Sequence, residues 1–216
     1  MPATKIHLVR HGEVFNPDGV LYGRLPGYHL SELGQRMATA AAAQLAGHPI
    51  SALYASPLQR AQESARPWSE AFNLPVVTED RIIEPTNKFE GGTFEFGPAV
   101  LLKPQVWPWV RNPFKPSWGE PYKEVAARML AAIDDAWASV DDGEVVMVSH
   151  QMPIVMAQRS VTGQNLWHDP RKRRCNLSSI TTLVRRTGAG PTLFAEESYL
   201  NPAADLLAKA VDNGAV

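Results

Sequence analysis

Four short runs of β-branched and aliphatic residues, separated by segments with helical spacing, constrain the fold of this chain most. The strand-like runs cover residues 5–9, 50–55, 144–149 and 179–185. Strands that alternate with helices are typical of a largely parallel sheet covered on both faces. The pattern therefore predicts an α/β fold with three layers, α/β/α, around a mostly parallel central sheet.

The intervening segments have apolar residues at helical spacing. The predicted helices cover residues 32–45, 57–72, 123–140 and, as an amphipathic terminal helix, 201–212. Ser31 and Ser56 precede the first two and are suited to cap them, and Pro57 suits a first helical position. Gly47 is expected to stop the first helix.

Cationic and histidine side chains lie at the ends of these strand-like runs. Arg10 and His11 end the first run, His150 follows the third, and Arg60 lies in the first turn of the helix after the second. Ligands bind at the carboxyl edge of open α/β sheets, where a helix N-terminus and a guanidinium both favour an anion. A chance Arg-His pair would explain the first run alone, but the four residues together predict a phosphate site with a histidine nucleophile.

Together these residues resemble the histidine phosphatase superfamily, also called the phosphoglycerate mutase-like family, over about residues 5–185. The ordered motifs are Arg10-His11-Gly12-Glu13, Asn16, Leu30-Ser31-Glu32-Leu33-Gly34, Ser56-Pro57-Leu58-Gln59-Arg60-Ala61, Glu84 and Ser149-His150. Three features depart from the family pattern. Gln151 replaces the glycine that usually follows the late histidine, and the spacing to Asn16 is one residue shorter than usual. The acid is usually followed by Phe/Tyr-Gly and then Trp-Glu-Gly, whereas Glu84 leads into Pro85-Thr86-Asn87-Lys88-Phe89-Glu90-Gly91.

The resemblance implies a phosphomonoesterase that hydrolyses a small phosphorylated metabolite through a phosphohistidine intermediate on His11. Glu84 would be the general acid, with a pKa raised by burial. His150 is expected to be protonated. The implied catalytic residues are His11, Glu84, His150, Arg10 and Arg60, and the implied substrate-binding residues are Arg10, Asn16, Arg60, His150 and Gln151. Glu90 and Glu95 are the next candidates for the acid.

Two alternatives remain open. One is a phosphoglycerate mutase-type phosphoryl transfer, but that subgroup usually has an Asn-Glu-Arg-His-Tyr pattern around the acid, whereas this chain has Glu84-Pro85-Thr86-Asn87-Lys88. The other, of a different class, is a non-catalytic module that keeps the fold and binds a phospholigand or a protein. Assay with p-nitrophenyl phosphate would separate an enzyme from a binding module.

Residues 89–122 differ in composition from the rest of the chain. They contain Trp107, Trp109 and Trp118 and six of the 18 prolines. Such a segment favours rigid apolar surface over regular structure. We expect a single domain, 1–216, in which 89–122 is an inserted cap over the site; the alternative is a long loop packed as a satellite core. Within it lie Lys103, Arg111 and Lys115, which either meet a second anionic group or remain solvated.

Composition restricts the partners. A net charge of −1 and a pI of about 6.6 give no indication of nucleic acid or an anionic membrane as partner. The single cysteine, Cys175, excludes an intramolecular disulfide and suits a reducing compartment. The first strand-like run begins at residue 5, so we expect no signal peptide and a cytoplasmic protein.

The expected partner is a small-molecule phosphate ester, and the sequence leaves a homodimer possible. No cofactor and no metal are expected, and activity is expected to be metal-independent. The remaining histidines are expected to be structural or at the surface; these are His7, His29, His48 and His168.

Overall fold

The computed structural model describes residues 2–92, 119–188, 190 and 192–212. Within them the strands are β1 (Lys5–Arg10), β2 (Ile50–Ala55), β3 (Val76–Thr78), β4 (Glu144–Ser149), β5 (Ile180–Arg185) and β6 (Phe194–Leu200). They form one sheet in the order β3-β2-β4-β1-β5-β6. β3, β2, β4 and β1 pair in parallel, whereas β5 and β6 pair antiparallel. The predicted mostly parallel sheet is confirmed, and β3 and β6 are additions to the four predicted strands.

Helices cover both faces of the sheet. They are α1 (Glu32–Gln44), α2 (Gln59–Phe72), α3 (Tyr122–Ala138), α4 (Gln151–Val161) and the short α5 (Ala204–Leu207). Alternate strand residues point to opposite faces. Leu8 and Met147 accordingly pack in one core with α3 and α4, whereas Val9 and Val148 pack in a second core with α1 and α2. The three-layer α/β/α arrangement is therefore confirmed.

The two predicted serine caps have different outcomes. Ser31 caps α1 as predicted, since its hydroxyl accepts a hydrogen bond from the backbone N–H of Gly34. The prediction for α2 is wrong: the helix begins at Gln59 and no side chain caps it. Ser56 Oγ instead lies 2.7 Å from Nε2 of His150, so its hydroxyl is used at the candidate site. Arg60 is nevertheless in the first turn of α2.

The C-terminal segment is less helical than predicted. Only Ala204–Leu207 form α5, so the predicted helix over 201–212 is wrong in extent. Apolar residues of this segment, Ala203 and Leu206 among them, pack against Met37 and Leu177. The chain then reaches Asp212 beside the carboxyl end of β1. Among the described helices, none has the length and apolar character needed to cross a membrane.

The predicted cap falls largely outside the described residues. Its tryptophans, its basic residues and Glu95 all lie in the range 93–118. Asn87, which precedes that range by six positions, and Gly119, which follows it, form an antiparallel bridge. The single domain over 1–216 and the cap over 89–122 stay predictions.

Candidate active site

The candidate site lies at the carboxyl edge of the two central strands. β1 and β4 are paired in parallel with Arg10 opposite Ser149, so the residues that follow, His11 and His150, are neighbours. Their ring centroids are 5.1 Å apart. Arg60, from the start of α2, donates to His11 through Nε at 3.3 Å. The structure thus brings together the four side chains identified at strand and helix ends.

His11 has the tautomer that a nucleophile needs. Its Nδ1 lies 2.7 Å from the carbonyl oxygen of Gly12, which can only accept, so Nδ1 carries the proton and Nε2 carries the lone pair. Burial, together with the charges of Arg60 and Arg10, lowers the pKa of His11 well below 6.5. The imidazole is therefore neutral at neutral pH, and its Nε2 can attack an electrophilic phosphorus.

Two glycines allow the loop that carries His11 to pack tightly on α1. A Cβ on Gly12 would lie 2.3 Å from the carbonyl oxygen of Gly34, and one on Gly34 would lie 2.0 Å from that of Glu13. Both approaches are closer than real Cβ atoms allow, so any side chain would push the loop away from the helix. The Gly12 N–H also donates to Ser64 Oγ in α2 at 3.1 Å. The backbone around His11 is thus fixed by α1 and α2 together.

Arg10 is held along one edge of its guanidinium group. Nη1 donates to the backbone oxygen of Cys175 at 2.7 Å and to Oδ2 of Asp212 at 2.8 Å, and Nη2 donates to Oδ1 of Asp212 at 2.5 Å. Its Nε is buried and has no hydrogen-bond partner among the described residues. The edge formed by Nε and the second proton of Nη2 can therefore bind an oxyanion.

Arg60 is fixed by residues that the sequence did not indicate. Its Nη2 donates to the backbone oxygen of Gly23 at 2.7 Å, and its guanidinium carbon lies 4.7 Å from the ring centroid of Tyr22. Burial raises the pKa of Tyr22 to about 12, so the phenol stays neutral. Tyr22 and Gly23 lie in a loop without a recognisable motif, and nothing in the sequence predicts their contact with Arg60.

His150 is oriented by a serine. Ser56 Oγ lies 2.7 Å from Nε2, whereas Nδ1 is buried, has no hydrogen-bond partner in the described part of the chain and lies 3.9 Å from Oε2 of Glu84. Burial and the charge of Arg60 lower the pKa of His150 well below 6.5. These surroundings favour the neutral ring, and the protonated form expected beside a bound phosphate stays a prediction. When the Ser56 hydroxyl donates to Nε2, the ring proton is on Nδ1, the nitrogen on the side of Glu84.

Glu84 lies on the other side of His150, after the 3₁₀ turn Asp80–Ile82. It is 9% exposed, and burial raises the pKa of its carboxyl although Arg60 and Arg10 act in the opposite direction. A raised pKa suits a general acid. Its backbone oxygen accepts from Arg24 Nε at 2.5 Å, which holds this segment in place.

The other candidates for the acid are placed differently. Glu90 accepts through Oε1 from the backbone N–H groups of Arg24 and Asn87, at 3.1 Å and 3.2 Å. Its carboxylate therefore ties two loops together beside the site. Glu95 is outside the described residues. Of the two candidates that the structure describes, Glu84 is therefore the one placed beside His150, where a general acid is expected.

Asn16 lies in the loop after β1. Its side-chain amide donates to the backbone oxygen of Val20 at 2.9 Å and accepts from the Val20 N–H at 3.0 Å. These bonds fix the conformation of residues 16–20. A contact between Asn16 and phosphate stays a prediction.

Gln151 connects the site to a basic loop. Its Oε1 accepts from Nη1 of Arg173 at 3.0 Å, and Nε of Arg173 lies 3.0 Å from Nε2 of His168. Within the basic run 171–174, Arg171 pairs with Asp169, whereas the charge of Arg173 acts to lower the pKa of Glu84. Arg173 therefore adds positive potential at the site.

Comparison with known proteins gives a family. The sequence pattern of the histidine phosphatase superfamily (branch 1) matches residues 6–194. The chain is 51% identical over 181 residues to the uncharacterized protein Rv0525 of Mycobacterium tuberculosis, which covers 84% of this chain and 90% of that protein. It is 32% identical over 166 residues to phosphoserine phosphatase 1 of Hydrogenobacter thermophilus, with 76% and 78% covered.

The fold is also similar to that of a solved structure. A phosphoserine phosphatase from Entamoeba histolytica, in complex with 3-phosphoglyceric acid, superposes with a TM-score of 0.73 at 22% identity, over 91% of this chain and 96% of that one. At this identity the likeness establishes the fold alone. The sequence match over most of the chain establishes the family: this protein belongs to branch 1 of the histidine phosphatase superfamily.

Proposed function

We propose that the protein is a phosphomonoesterase that hydrolyses a small phosphorylated metabolite through a phosphohistidine intermediate on His11. The observation that supports this most is the state of His11, a neutral imidazole whose Nδ1–H is bonded to Gly12 and whose Nε2 lies beside Arg60. Residues 84–88 lack the pattern of the mutase subgroup, which favours hydrolysis over transfer to a second hydroxyl, and one relative is named a phosphoserine phosphatase.

Binding of the phosphate group uses the donors that are directed into the site. Arg10 offers its Nε edge, Arg60 offers its guanidinium and His150 offers Nδ1–H. Charge-assisted bonds of this kind are roughly twice as strong as neutral ones and neutralise the equatorial oxygens. A neutral nucleophile also avoids the repulsion that an anionic one would meet at a phosphate dianion.

In the first chemical step, Nε2 of His11 forms a bond to phosphorus as the P–O ester bond breaks. The ring becomes positively charged, and the Gly12 carbonyl stabilises that charge through Nδ1–H. The leaving alkoxide takes a proton from Glu84, which then carries a negative charge. In the second step Glu84 takes a proton from water, the water oxygen attacks phosphorus, and the P–N bond breaks to release phosphate and neutral His11.

The test is to trap the intermediate. Rapid quenching of turnover with a ³²P-labelled monoester should leave acid-labile, base-stable label on His11. His11→Ala should lose both the label and the hydrolysis of p-nitrophenyl phosphate, whereas His29→Ala, an exposed histidine near the other end of the same connection between β1 and α1, should keep both. Label on another residue, or full activity of His11→Ala, would overturn the mechanism.

The same experiment addresses the two alternatives. Label that passes from His11 to an added phosphoglycerate, rather than into inorganic phosphate, would indicate mutase-type transfer. Absence of turnover and label with sugar phosphates, phosphoglycerates, nucleotides and phosphopeptides, together with measurable binding, would indicate a non-catalytic module.

A further inference from the structure

A second cluster of titratable side chains lies towards the amino-terminal ends of β1 and β4, whereas the candidate site lies at their carboxyl ends. It contains His7 in β1, His48 in the loop before β2 and Glu144 at the first position of β4. Oε2 of Glu144 lies 2.9 Å from Nε2 of His7 and 2.8 Å from Nδ1 of His48. The potential ligand atoms all lie within 4.8 Å of one another. Ser149 lies five positions after Glu144 along β4, a distance of about 16 Å.

We propose that His7, His48 and Glu144 bind one divalent transition metal ion of the zinc type, with water as the fourth ligand. Imidazole nitrogen and carboxylate oxygen are ordinary zinc ligands, at about 2.0–2.2 Å from the metal. In a tetrahedral site such ligand atoms are about 3.3 Å apart. The two histidine–carboxylate distances, 2.9 Å and 2.8 Å, would need to lengthen by only about half an ångström to admit the ion, with the two histidine nitrogens within 4.8 Å of each other.

The surroundings of His7 fit this role. Thr182 Oγ1 lies 3.0 Å from Nδ1 of His7, so a proton on Nδ1 can be donated to the hydroxyl while Nε2 faces the cluster. Metal-bound histidines almost always have such a partner on the second ring nitrogen, because it fixes the ring and its tautomer. The side chains of His7 and Glu144 are 2% and 7% exposed, whereas that of His48 is 40% exposed. His48 therefore gives the ion and its water ligand access from solvent.

The charges of the cluster also suit a cation. The carboxyl group of Glu144 lies between the two imidazole rings and would supply a negative charge to the ion. The charge of Lys5 opposes a cation here, but its ammonium group is paired with Glu197 at 2.7 Å.

Without a metal, the same groups can bond to one another, with both histidines donating to Glu144. Binding then requires each histidine to move its proton to the other ring nitrogen, towards Thr182 for His7 and towards solvent for His48. The two hydrogen bonds to Glu144 are replaced by bonds to the ion, and the contact between His7 and Thr182 is kept. The bound ion would join β1, β4 and the loop before β2, so its effect should appear in stability rather than in catalysis.

The test uses tag-free protein that has been treated with EDTA and dialysed. Calorimetric titration with ZnCl₂ should give one site per chain, and Co²⁺ should give the visible absorption of a tetrahedral complex. A zinc concentration 100-fold above Kd should raise Tm by roughly 5–10 °C. His48→Ala and the more conservative His48→Gln should both lose the site and the Tm increase, and the exposure of His48 means that both should fold.

Two further variants show where zinc binds. His29→Ala should keep the site, because His29 lies outside the cluster. His11→Ala should also keep it, which distinguishes this cluster from the histidine pair at the candidate active site. Absence of stoichiometric binding, or binding that persists in His48→Ala, would overturn the proposal. Neither result depends on whether the protein is a phosphatase.

Discussion

Asp212 forms a two-point ion pair with Arg10 across 202 residues of sequence. The carboxylate binds Nη1 and Nη2, so the opposite edge of the guanidinium, with its buried Nε, is the edge directed to the candidate site. Arg10 is wholly buried, whereas the Asp212 side chain is 41% exposed. We infer that Asp212 positions Arg10 and does not itself contact substrate.

Replacing Asp212 with alanine should therefore lower kcat by about tenfold, because the guanidinium loses the carboxylate that fixes its plane. This magnitude allows for the exposure of Asp212, which weakens the ion pair. Steady-state kinetics with p-nitrophenyl phosphate would measure it. Asp205→Ala is the matched control, because Asp205 is an exposed carboxylate in the same C-terminal segment. Activity of Asp212→Ala equal to or above that of the natural protein would mean that Asp212 competes with phosphate for Arg10.

Glu84 should matter most for substrates with poor leaving groups. If it protonates the leaving oxygen, Glu84→Gln should slow hydrolysis of an alkyl phosphate by ~10²–10⁴. An aryl phosphate with an acidic phenol should be slowed much less, because that oxygen leaves without a proton.

The matched control for this prediction is Glu90→Gln. Glu90 accepts hydrogen bonds from two backbone N–H groups, and glutamine can still accept both. It should affect the two substrates equally and weakly. Equal losses on both substrates in Glu84→Gln would count against Glu84 as the acid.

Hydrolysis should survive treatment with EDTA. The guanidinium charges of Arg10 and Arg60 would neutralise the phosphate oxygens, with His150 as a further hydrogen-bond donor. The proposed zinc cluster lies at the amino-terminal ends of β1 and β4, away from these groups. Turnover of p-nitrophenyl phosphate before and after chelation would be compared, with His48→Ala assayed in parallel. Activity that disappears with EDTA and returns with one divalent ion would show that phosphate is neutralised by metal.

Acidification should destabilise the protein between about pH 7 and 5. Burial lowers the pKa values of His11 and His150 well below 6.5, so the unfolded chain takes up protons at pH values where the folded protein does not. Stability then falls as pH falls, by up to about 1.4 kcal/mol per pH unit for each histidine. Urea denaturation of the natural protein and of His150→Gln would measure this. Glu84 is present in both proteins, so its contribution cancels. The variant has one buried histidine fewer and should therefore have the shallower pH dependence. Equal slopes would contradict the lowered pKa of His150.

The sequence predicts the centre of the sheet well and its edges poorly. β1, β2, β4 and β5 were predicted because central strands consist of continuous apolar runs. β3 has only three residues, and β6 contains Glu196 and Glu197 and is partly exposed, so neither has the pattern of a buried strand. An edge strand pairs with a neighbouring strand on one side only and is more exposed to solvent. Its sequence therefore need not be a continuous apolar run.

The residues of the candidate site likewise fall into two groups, those that the sequence predicts and those that it does not. Arg10, His11, Arg60 and His150 could be found because each follows a recognisable strand or begins a helix. Tyr22, Ser56 and Asp212 act through contacts made only when the chain folds. Ser56 illustrates the difficulty: a serine before a helix was assigned to capping, whereas the structure places its hydroxyl on His150. Local sequence indicates what a side chain can bond to, and the tertiary arrangement decides which partner it meets.

The bridge between Asn87 and Gly119 has a consequence for how this family can diversify. Because Asn87 and Gly119 are paired, the two ends of the stretch between them are close together. Lengthening that stretch costs little additional loop-closure entropy. Apart from Phe89, which is buried, and Glu90, which holds two loops together, residues between the two anchors can therefore change in number and kind without stretching the sheet or moving the histidines. Selection for a new substrate could act on that stretch while the reaction chemistry is inherited unchanged.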